Sequence, residues 1–387
     1  MSVSFGIDHL LADPPSWKHE RIALLTNDAA KTKKGISTRK ALIEKGFNLQ
    51  LLFSPEHGIT ANAADGKFIA NQVDPTTSLP IISLYGDKFM PSKEDLSQID
   101  ILLFDIPDAG TRFYTYLWSM SYWIQSAAKF NKPVYILDRP NPLGGNFSMA
   151  EGPFLEDDIT SFIGRYNIPI KHQCTFGELA LYLNSMATIK ASLTIIKCEH
   201  WKRTNMFYDW HLPWVNTSPA LQSIEACILY PGLCFFEATN VSIGRGTPYS
   251  FEWMGAQWLN MDALNMVCNT ILGEDIKIEI LPLQPDGETK PINGMRLKVI
   301  DPYNYDAVLN GLLLVKMIKD LHPHEFRWQP YPTHANPTGK NHLSLLMGIK
   351  DAEKLFELPL QDWLQQMGVL LKVDDWRNKM NDLLLYS

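Results

Sequence analysis

Glu56 is the residue of this sequence that is best placed for acid–base chemistry. It stands in the Ser-Pro-Glu-His-Gly segment at 54–58, directly after the apolar run at 49–53, and Pro55 stiffens the backbone before it. A carboxyl group at the end of a buried strand is partly removed from water, so it keeps its proton to higher pH and can deliver it to a leaving oxygen. The same residue types fit a glutamate that caps the next helix or forms a loop salt bridge. His57 could orient Glu56 or bond a ligand hydroxyl, and a histidine satisfied by backbone groups is equally common.

Two aspartates form a second acidic motif. Asp105 ends the apolar run at 101–105, and Asp108 follows shortly before Arg112. Carboxylates at a strand end can bind sugar hydroxyls or supply the second acid or base of a hydrolase. We therefore predict Asp105 as a catalytic residue, with Asp108 and Arg112 as ligand contacts. Asp108 could instead cap a helix that begins near residue 111.

A third polar segment, Asp-Arg-Pro-Asn-Pro at 138–142, ends the apolar run at 133–138. Its two prolines fix the direction of a loop that carries an acid, a guanidinium and an amide. Rigid polar loops are typical of ligand binding, so Asp138, Arg139 and Asn141 are predicted contacts. The alternative is that Asp138 and Arg139 only bond the backbone at the sheet edge.

A glycine-containing segment at 239–247 carries Asn240 and Arg245. Glycine permits close backbone approach, and the forked guanidinium of arginine can make two parallel hydrogen bonds to a planar carboxylate. Both residues are predicted contacts, against the alternative of a structural turn with Arg245 in an inter-domain salt bridge. Tyr114 belongs to an aromatic set that offers stacking faces for a sugar, although large aromatic residues of an amphipathic helix usually form core.

Short apolar runs and helical patterns alternate through the first half of the chain. The runs lie at 22–26, 49–53, 80–84, 101–105 and 133–138, and the helical patterns at 38–46 and 113–130. Continuous apolar runs indicate buried parallel strands, and their alternation with helices indicates β-α-β units. This predicts an α/β fold with a Rossmann-like, open, mostly parallel sheet flanked by helices. In such sheets ligands bind beyond the carboxyl ends of the strands, where the first three polar segments lie.

The hydrophobic pattern of the sequence changes after about residue 230, where shorter stretches of alternating apolar and polar residues appear, such as 295–300. Because single cores stop growing near ~250–300 residues, we expect two domains. A Rossmann-like N-terminal domain is predicted at 1–235 and a smaller α+β C-terminal domain at 236–387. The proline- and histidine-rich segment at 322–342 is predicted to be a structured loop.

Composition and missing motifs exclude several classes of ligand. The formal net charge is −7, which gives no general attraction to nucleic acid or anionic lipid. No stretch approaches the ~20 apolar residues of a membrane helix, so membrane insertion is not expected. Neither a G-x-G-x-x-G turn nor a G-x-x-x-x-G-K-[ST] loop is present, so no nucleotide cofactor is expected. The five cysteines are expected to be buried thiols, and the histidines show no recurring metal-ligand spacing, so no metal site is predicted.

The first eight residues do not combine a charged leader with an apolar core. A chain complete as given is therefore expected to be cytoplasmic. A chain shortened at this end would be expected in the periplasm or outside the cell.

Seven segments, in one order along nearly the whole chain, carry a resemblance to a known family. They lie at 54–58, 79–86, 104–116, 137–142, 151–153, 176–180 and 240–247. Together they resemble the NamZ-type exo-β-N-acetylmuramidases, glycoside hydrolase family 171, formerly a domain of unknown function. Residues 216–221 depart from the family pattern and remove a polar Asn near the expected pocket, a change that could shift substrate preference.

The resemblance implies a pocket at the junction of a Rossmann-like domain and a smaller C-terminal domain. It also implies release of terminal N-acetylmuramic acid from the non-reducing end of peptidoglycan fragments, with Glu56 as the presumed catalyst, no cofactor, and a small saccharide or muropeptide as partner. The lactyl carboxylate of this sugar needs a cation, for which Arg245, Arg139 and Arg112 are the candidates. The alternatives are a hydrolase of a different glycoside in the same pocket and a non-catalytic muropeptide-binding protein.

Overall fold

A computed structural model describes residues 2–387 of the protein. A seven-stranded sheet forms the first part of the chain. The elements of this part are α1 (Gly6–Ala12), β1 (Ile22–Thr26), α2 (Thr38–Glu44), β2 (Leu49–Ser54), β3 (Gln72–Val73), β4 (Pro80–Ser83), β5 (Ile101–Asp105), α3 (Tyr116–Lys129), β6 (Val134–Leu137), α4 (Phe176–Met186) and β7 (Leu193–Ile196).

The strand order is β3-β4-β2-β1-β5-β6-β7, and every pair is parallel except β3 with β4. The chain runs outward from β1 through β2 to β4, then returns to β5 and runs outward in the other direction. The order thus reverses between β1 and β5, which pair in register from Ile22 opposite Ile101 to Thr26 opposite Asp105. A crevice at such a reversal is where open α/β sheets bind ligands. The predicted fold class is confirmed.

The five predicted strands are present as β1, β2, β4, β5 and β6, and the predicted helices as α2 and α3. All five positions of β1 and of β5 are buried, which explains why these strands appear as continuous apolar runs. The strands β3 and β7 are not among those predicted. The first has only two residues, both exposed, and the second is a partly exposed edge strand.

A smaller antiparallel sheet and several helices form the second part of the chain. Its elements are α5 (Ile224–Leu233), β8 (Trp253–Gly255), α6 (Met261–Leu272), β9 (Ile276–Ile280), β10 (Gly294–Val299), α7 (Ala307–Leu321), α8 (His342–Met347), α9 (Leu360–Leu370) and α10 (Trp376–Met380). The strand order is β8-β10-β9. Between α7 and α8 the chain contains neither helix nor strand, as predicted for 322–342.

The division into domains at 235 and 236 stays a prediction, and it falls inside the 3-10 turn Cys234–Ala238 that follows α5. Residues near the end of the chain pack back onto the first part. Trp376 donates its indole N–H to the His172 carbonyl at 2.8 Å, and the Tyr386 hydroxyl donates to Asp138 at the end of β6. None of the described helices has both the length and the apolar content needed to cross a membrane. All five cysteines are buried and free, as predicted.

The helices α5 and α7 approach each other closely at two glycines. A Cβ atom on Gly232 would lie 2.1 Å from the Ala307 carbonyl oxygen, and one on Gly311 would lie 2.2 Å from the Gly232 Cα atom. These are contacts with backbone, which cannot rotate away as a flexible side chain could. The glycines therefore set the distance between the two helices.

We predict that Gly311→Ala lowers the free energy of unfolding by about 1–3 kcal/mol or more, because the added methyl group overpacks this contact. Urea denaturation of the two proteins measures the difference. The control is Gly368→Ala in α9, where a Cβ atom would meet no heavy atom within 4 Å. That change is expected to raise the free energy of unfolding by about 0.4–1 kcal/mol. Equal effects at both positions would contradict the packing argument.

Candidate active site

A cavity lies where the first part of the chain meets the second. Residues after β2, β4 and β5 form one side, and residues after α5 and between α7 and α8 form the other. The polar and aromatic residues that line it include Glu56, His57, Asp65, Tyr85, Tyr114, Thr115, Glu237, Arg245, Tyr331, Thr333 and His342.

Glu56 follows β2 by two residues and is only 6% exposed. Its Oε1 accepts a hydrogen bond from the Gly66 N–H at 2.8 Å, and its Oε2 accepts one from the Thr115 hydroxyl at 2.7 Å. Within residues 2–387 its carboxylate forms no salt bridge. Two neutral donors therefore hold the side chain in place, and no cation fixes its charge.

Two tyrosines remain neutral beside this carboxylate. Burial, followed by the charge of Glu56, raises the pKa of Tyr85 well above its ordinary value. The same two causes, in the same order, raise the pKa of Tyr116. Both phenols thus keep their protons at all working pH values, and Tyr85 brings a hydrogen-bond donor to the cavity wall.

His57 has a left-handed backbone conformation with φ of 66°. Its Nδ1 lies 2.7 Å from the Ala63 carbonyl oxygen, so this nitrogen carries a proton. In the neutral ring the other nitrogen, Nε2, is then an acceptor. His57 fixes the turn that leads to Gly66 and adds a polar wall to the cavity.

Arg245 is the centre of a charge cluster on the opposite wall. Its Nη2 bonds Glu237, and its Nη1 lies 3.0 Å from Oδ1 of Asp65. The Tyr331 hydroxyl donates to the other oxygen of Asp65, and His342 Nε2 lies 3.4 Å from Glu237. Burial by itself would raise the pKa of Glu237, but Arg245 and His342 outweigh it and hold that pKa at about 2.

Two predicted residues form a buried ion pair away from this cavity. The Arg139 guanidinium bonds both oxygens of Asp105, at 2.5 and 2.9 Å, and the Thr38 hydroxyl donates to the same carboxylate. Asp105 is fully buried, so the prediction of a catalytic role gains no support from its placement. Arg139 and Asp108 line a separate, mostly apolar pocket beside the prolines at 107 and 140.

Arg112 is fully buried and bonded only to backbone. Its Nη1 donates to the carbonyls of Pro153 and Ile168, and its Nη2 donates to those of Leu346 and Met347 at the end of α8. Burial lowers its pKa to about 9. This arginine joins the two parts of the chain and does not reach the cavity.

Three more predicted contacts also bond within the protein. Burial raises the pKa of Asp138 to about 7, against the hydrogen bonds that Tyr386, Thr175 and Gly177 donate to it. Asn141 bonds backbone groups of Leu143 and Cys174. Asn240 bonds backbone groups of Glu325 and Arg327 and lines an outer cleft next to Arg245.

The structure thus brings Glu56, His57, Tyr114 and Arg245 to one cavity. Tyr114 lines it, and its hydroxyl is buried with no hydrogen-bond partner among the described residues. The cavity residues that sequence reasoning does not predict are Asp65, Tyr85, Glu237, Tyr331 and His342. Their only signal in the sequence is that Tyr331 and His342 lie in the proline- and histidine-rich segment at 322–342. Ser218 and Ala220 from 216–221 line the cavity.

No group of three or more His, Cys, Asp or Glu side chains in residues 2–387 is arranged to hold a metal ion. The chemistry that the described side chains offer is therefore that of carboxyl groups, a guanidinium, imidazoles and phenols around one cavity.

Comparison with known proteins decides the family. The N-terminal model of the exo-β-N-acetylmuramidase NamZ family matches residues 22–225, and its C-terminal model matches residues 228–386. The chain belongs to the NamZ family. It is 39% identical over 331 residues to the peptidoglycan β-N-acetylmuramidase NamZ of Bacillus subtilis strain 168, covering 84% of this chain and 80% of that relative. The predicted resemblance is confirmed.

Two crystal structures of DUF1343 family proteins from Bacteroides fragilis NCTC 9343 share the fold of this NamZ family member. One has a TM-score of 0.87 and 28% sequence identity, and the other has a TM-score of 0.68 and 26% identity. In both, the match covers 100% of this chain and 99% of the other.

The low pKa of Glu237 predicts an acid-dependent loss of stability. Its folded pKa of about 2 lies below the ordinary value of 4.5, so as the pH falls the unfolded chain binds the proton first. The stabilising contribution is complete above pH 4.5 and is lost as the pH falls toward 2. We expect the difference in free energy of unfolding between the wild type and Glu237→Gln to shrink over this interval. Urea denaturation at a series of pH values measures it, and a difference independent of pH would contradict the assignment.

Proposed function

We propose that this protein is an exo-acting glycoside hydrolase that releases terminal N-acetylmuramic acid from the non-reducing end of peptidoglycan fragments. The observation that carries the proposal is Glu56, a buried carboxyl group with neutral hydrogen-bond donors on the wall of a cavity. Family membership and the activity for which the Bacillus relative is named support the choice of substrate.

Glu56 acts as the acid and base of the reaction. It delivers its proton to the glycosidic oxygen while the bond from that oxygen to the anomeric carbon breaks. Water adds its oxygen to the anomeric carbon and gives up a proton, which restores the protonated state of the site. Asp65 and Glu237 are the other carboxylates on the cavity wall, and Glu237, the more buried of the two, replaces Asp105 as the candidate for the second carboxyl group.

Arg245 is the arginine that we assign to the lactyl carboxylate of the sugar. Arg112 has its guanidinium nitrogens committed to four backbone carbonyls, and Arg139 is paired with Asp105 outside the cavity. Arg245 lines the same cavity as Glu56. A charge-assisted hydrogen bond from this guanidinium to the carboxylate orients the sugar ring against Glu56.

The partner that fits is a small saccharide or muropeptide whose terminal sugar enters the cavity. The lining combines carboxyl groups, a guanidinium and aromatic rings, which are groups that bind the hydroxyls, the carboxylate and the ring face of a sugar. The cellular compartment stays a prediction with its two alternatives, the cytoplasm or the outside of the inner membrane.

The second candidate function is hydrolysis of a different glycoside in the same cavity. Ala220 favours it, because this small apolar residue lines the cavity within the segment that departs from the family pattern. A panel of chromogenic glycosides separates the two substrates. A non-catalytic muropeptide-binding protein would show saturable binding in calorimetry and form no product.

We predict that Glu56→Gln lowers kcat/KM on a chromogenic N-acetylmuramic acid β-glycoside by about 10²–10⁴-fold, because the amide cannot donate the proton. The amide keeps the size of the side chain, so product affinity should change little. The control is Glu94→Gln, at an exposed residue that does not line the cavity. Unchanged turnover in Glu56→Gln would reject the assigned role.

A further inference from the structure

Asp65 forms a salt bridge with Arg245, the residue that we assign to the carboxylate of the substrate. Its Oδ1 lies 3.0 Å from Arg245 Nη1, and its Oδ2 accepts a hydrogen bond from the Tyr331 hydroxyl. Glu237 bonds Nη2 of the same guanidinium. Both terminal nitrogens of Arg245 are thus engaged by carboxylates of the protein itself.

The cavity as a whole carries more negative than positive charge. Asp65 and Glu237 supply two carboxylates, whereas Arg245 is the sole lysine or arginine among the described lining residues. A substrate carboxylate that approached this arrangement unchanged would be repelled, because like charges placed side by side cost free energy. One of the protein carboxylates must release the guanidinium.

Asp65 is the carboxylate that can leave. Its side chain is 29% exposed, and it lies at 55–71, where the chain between β2 and β3 forms neither helix nor strand. The Glu237 side chain is 9% exposed and is held by both Arg245 and His342. Displacing Glu237 would leave a charge buried without its partner, which costs far more than returning Asp65 to water.

We infer that Asp65 occupies the position of the substrate carboxylate in the free protein, and that the lactyl carboxylate displaces it from Arg245 and Tyr331. The inference rests on the proposed function and adds to it a residue that determines specificity. The two donors that Asp65 gives up, a guanidinium and a phenol, are those that the entering carboxylate takes.

The test compares two sugars that differ only in the lactyl group, N-acetylmuramic acid and N-acetylglucosamine, by calorimetry on the wild type and on Asp65→Asn. We expect the variant to bind N-acetylmuramic acid about tenfold more tightly and N-acetylglucosamine with unchanged affinity, since only the first ligand competes for Arg245. In turnover of the matching glycosides, KM should fall for the muramic acid substrate alone.

Two further variants sharpen the test. Asp87→Asn removes an exposed negative charge outside the cavity lining and should leave both affinities unchanged, which separates competition from net charge. Tyr331→Phe in the Asp65→Asn background should weaken binding of N-acetylmuramic acid several-fold, because it removes a donor that the ligand has taken over.

The outcomes are distinguishable. If the wild type hydrolyses the muramic acid glycoside but Asp65→Asn binds N-acetylmuramic acid no more tightly, or loses affinity for both sugars alike, the displacement is overturned and the proposed function stands. If neither protein binds N-acetylmuramic acid or turns over its glycoside, both proposals are rejected.

Discussion

The constraint on which this site depends is that a carboxyl group must leave water without acquiring a cation. Glu56 meets it with one backbone N–H and one hydroxyl, while Tyr85 and Tyr116 stay neutral around it. Arg245, the cationic residue of the cavity, is held by the carboxylates of Asp65 and Glu237. Proton transfer and anion recognition are thereby kept apart within one cavity.

This separation requires two distant parts of the chain. The parallel sheet supplies Glu56 at the carboxyl end of β2, next to the strand-order reversal between β1 and β5. The chain after α5 supplies Glu237 and Arg245, the long segment between α7 and α8 supplies Tyr331, and the first residue of α8 is His342. Neither part contains both functions, so the cavity exists only where they meet.

Hydrophobic patterning was sufficient to predict the central strands, because β1 and β5 are buried along their whole length. The same pattern places Glu56, Asp105 and Asp138 just beyond or at strand ends, but it cannot say where a side chain points. Glu56 points to the cavity, whereas Asp105 and Asp138 bond neighbours inside the protein. Asp65 and Tyr331 lie in segments with no period to detect, and only tertiary packing brings them to Glu56.

The buried guanidinium of Arg112 restrains movement between the two parts of the chain. It ties the carbonyls of Pro153 and Ile168 to the last turn of α8, and Tyr386 fastens a second point on the sheet at Asp138. Because these hydrogen bonds cross between the two parts of the chain at two places, a wide hinge opening would break several buried hydrogen bonds at once. We therefore expect a saccharide to enter and leave through movement of the short segment around Asp65, and not through separation of the two parts of the chain.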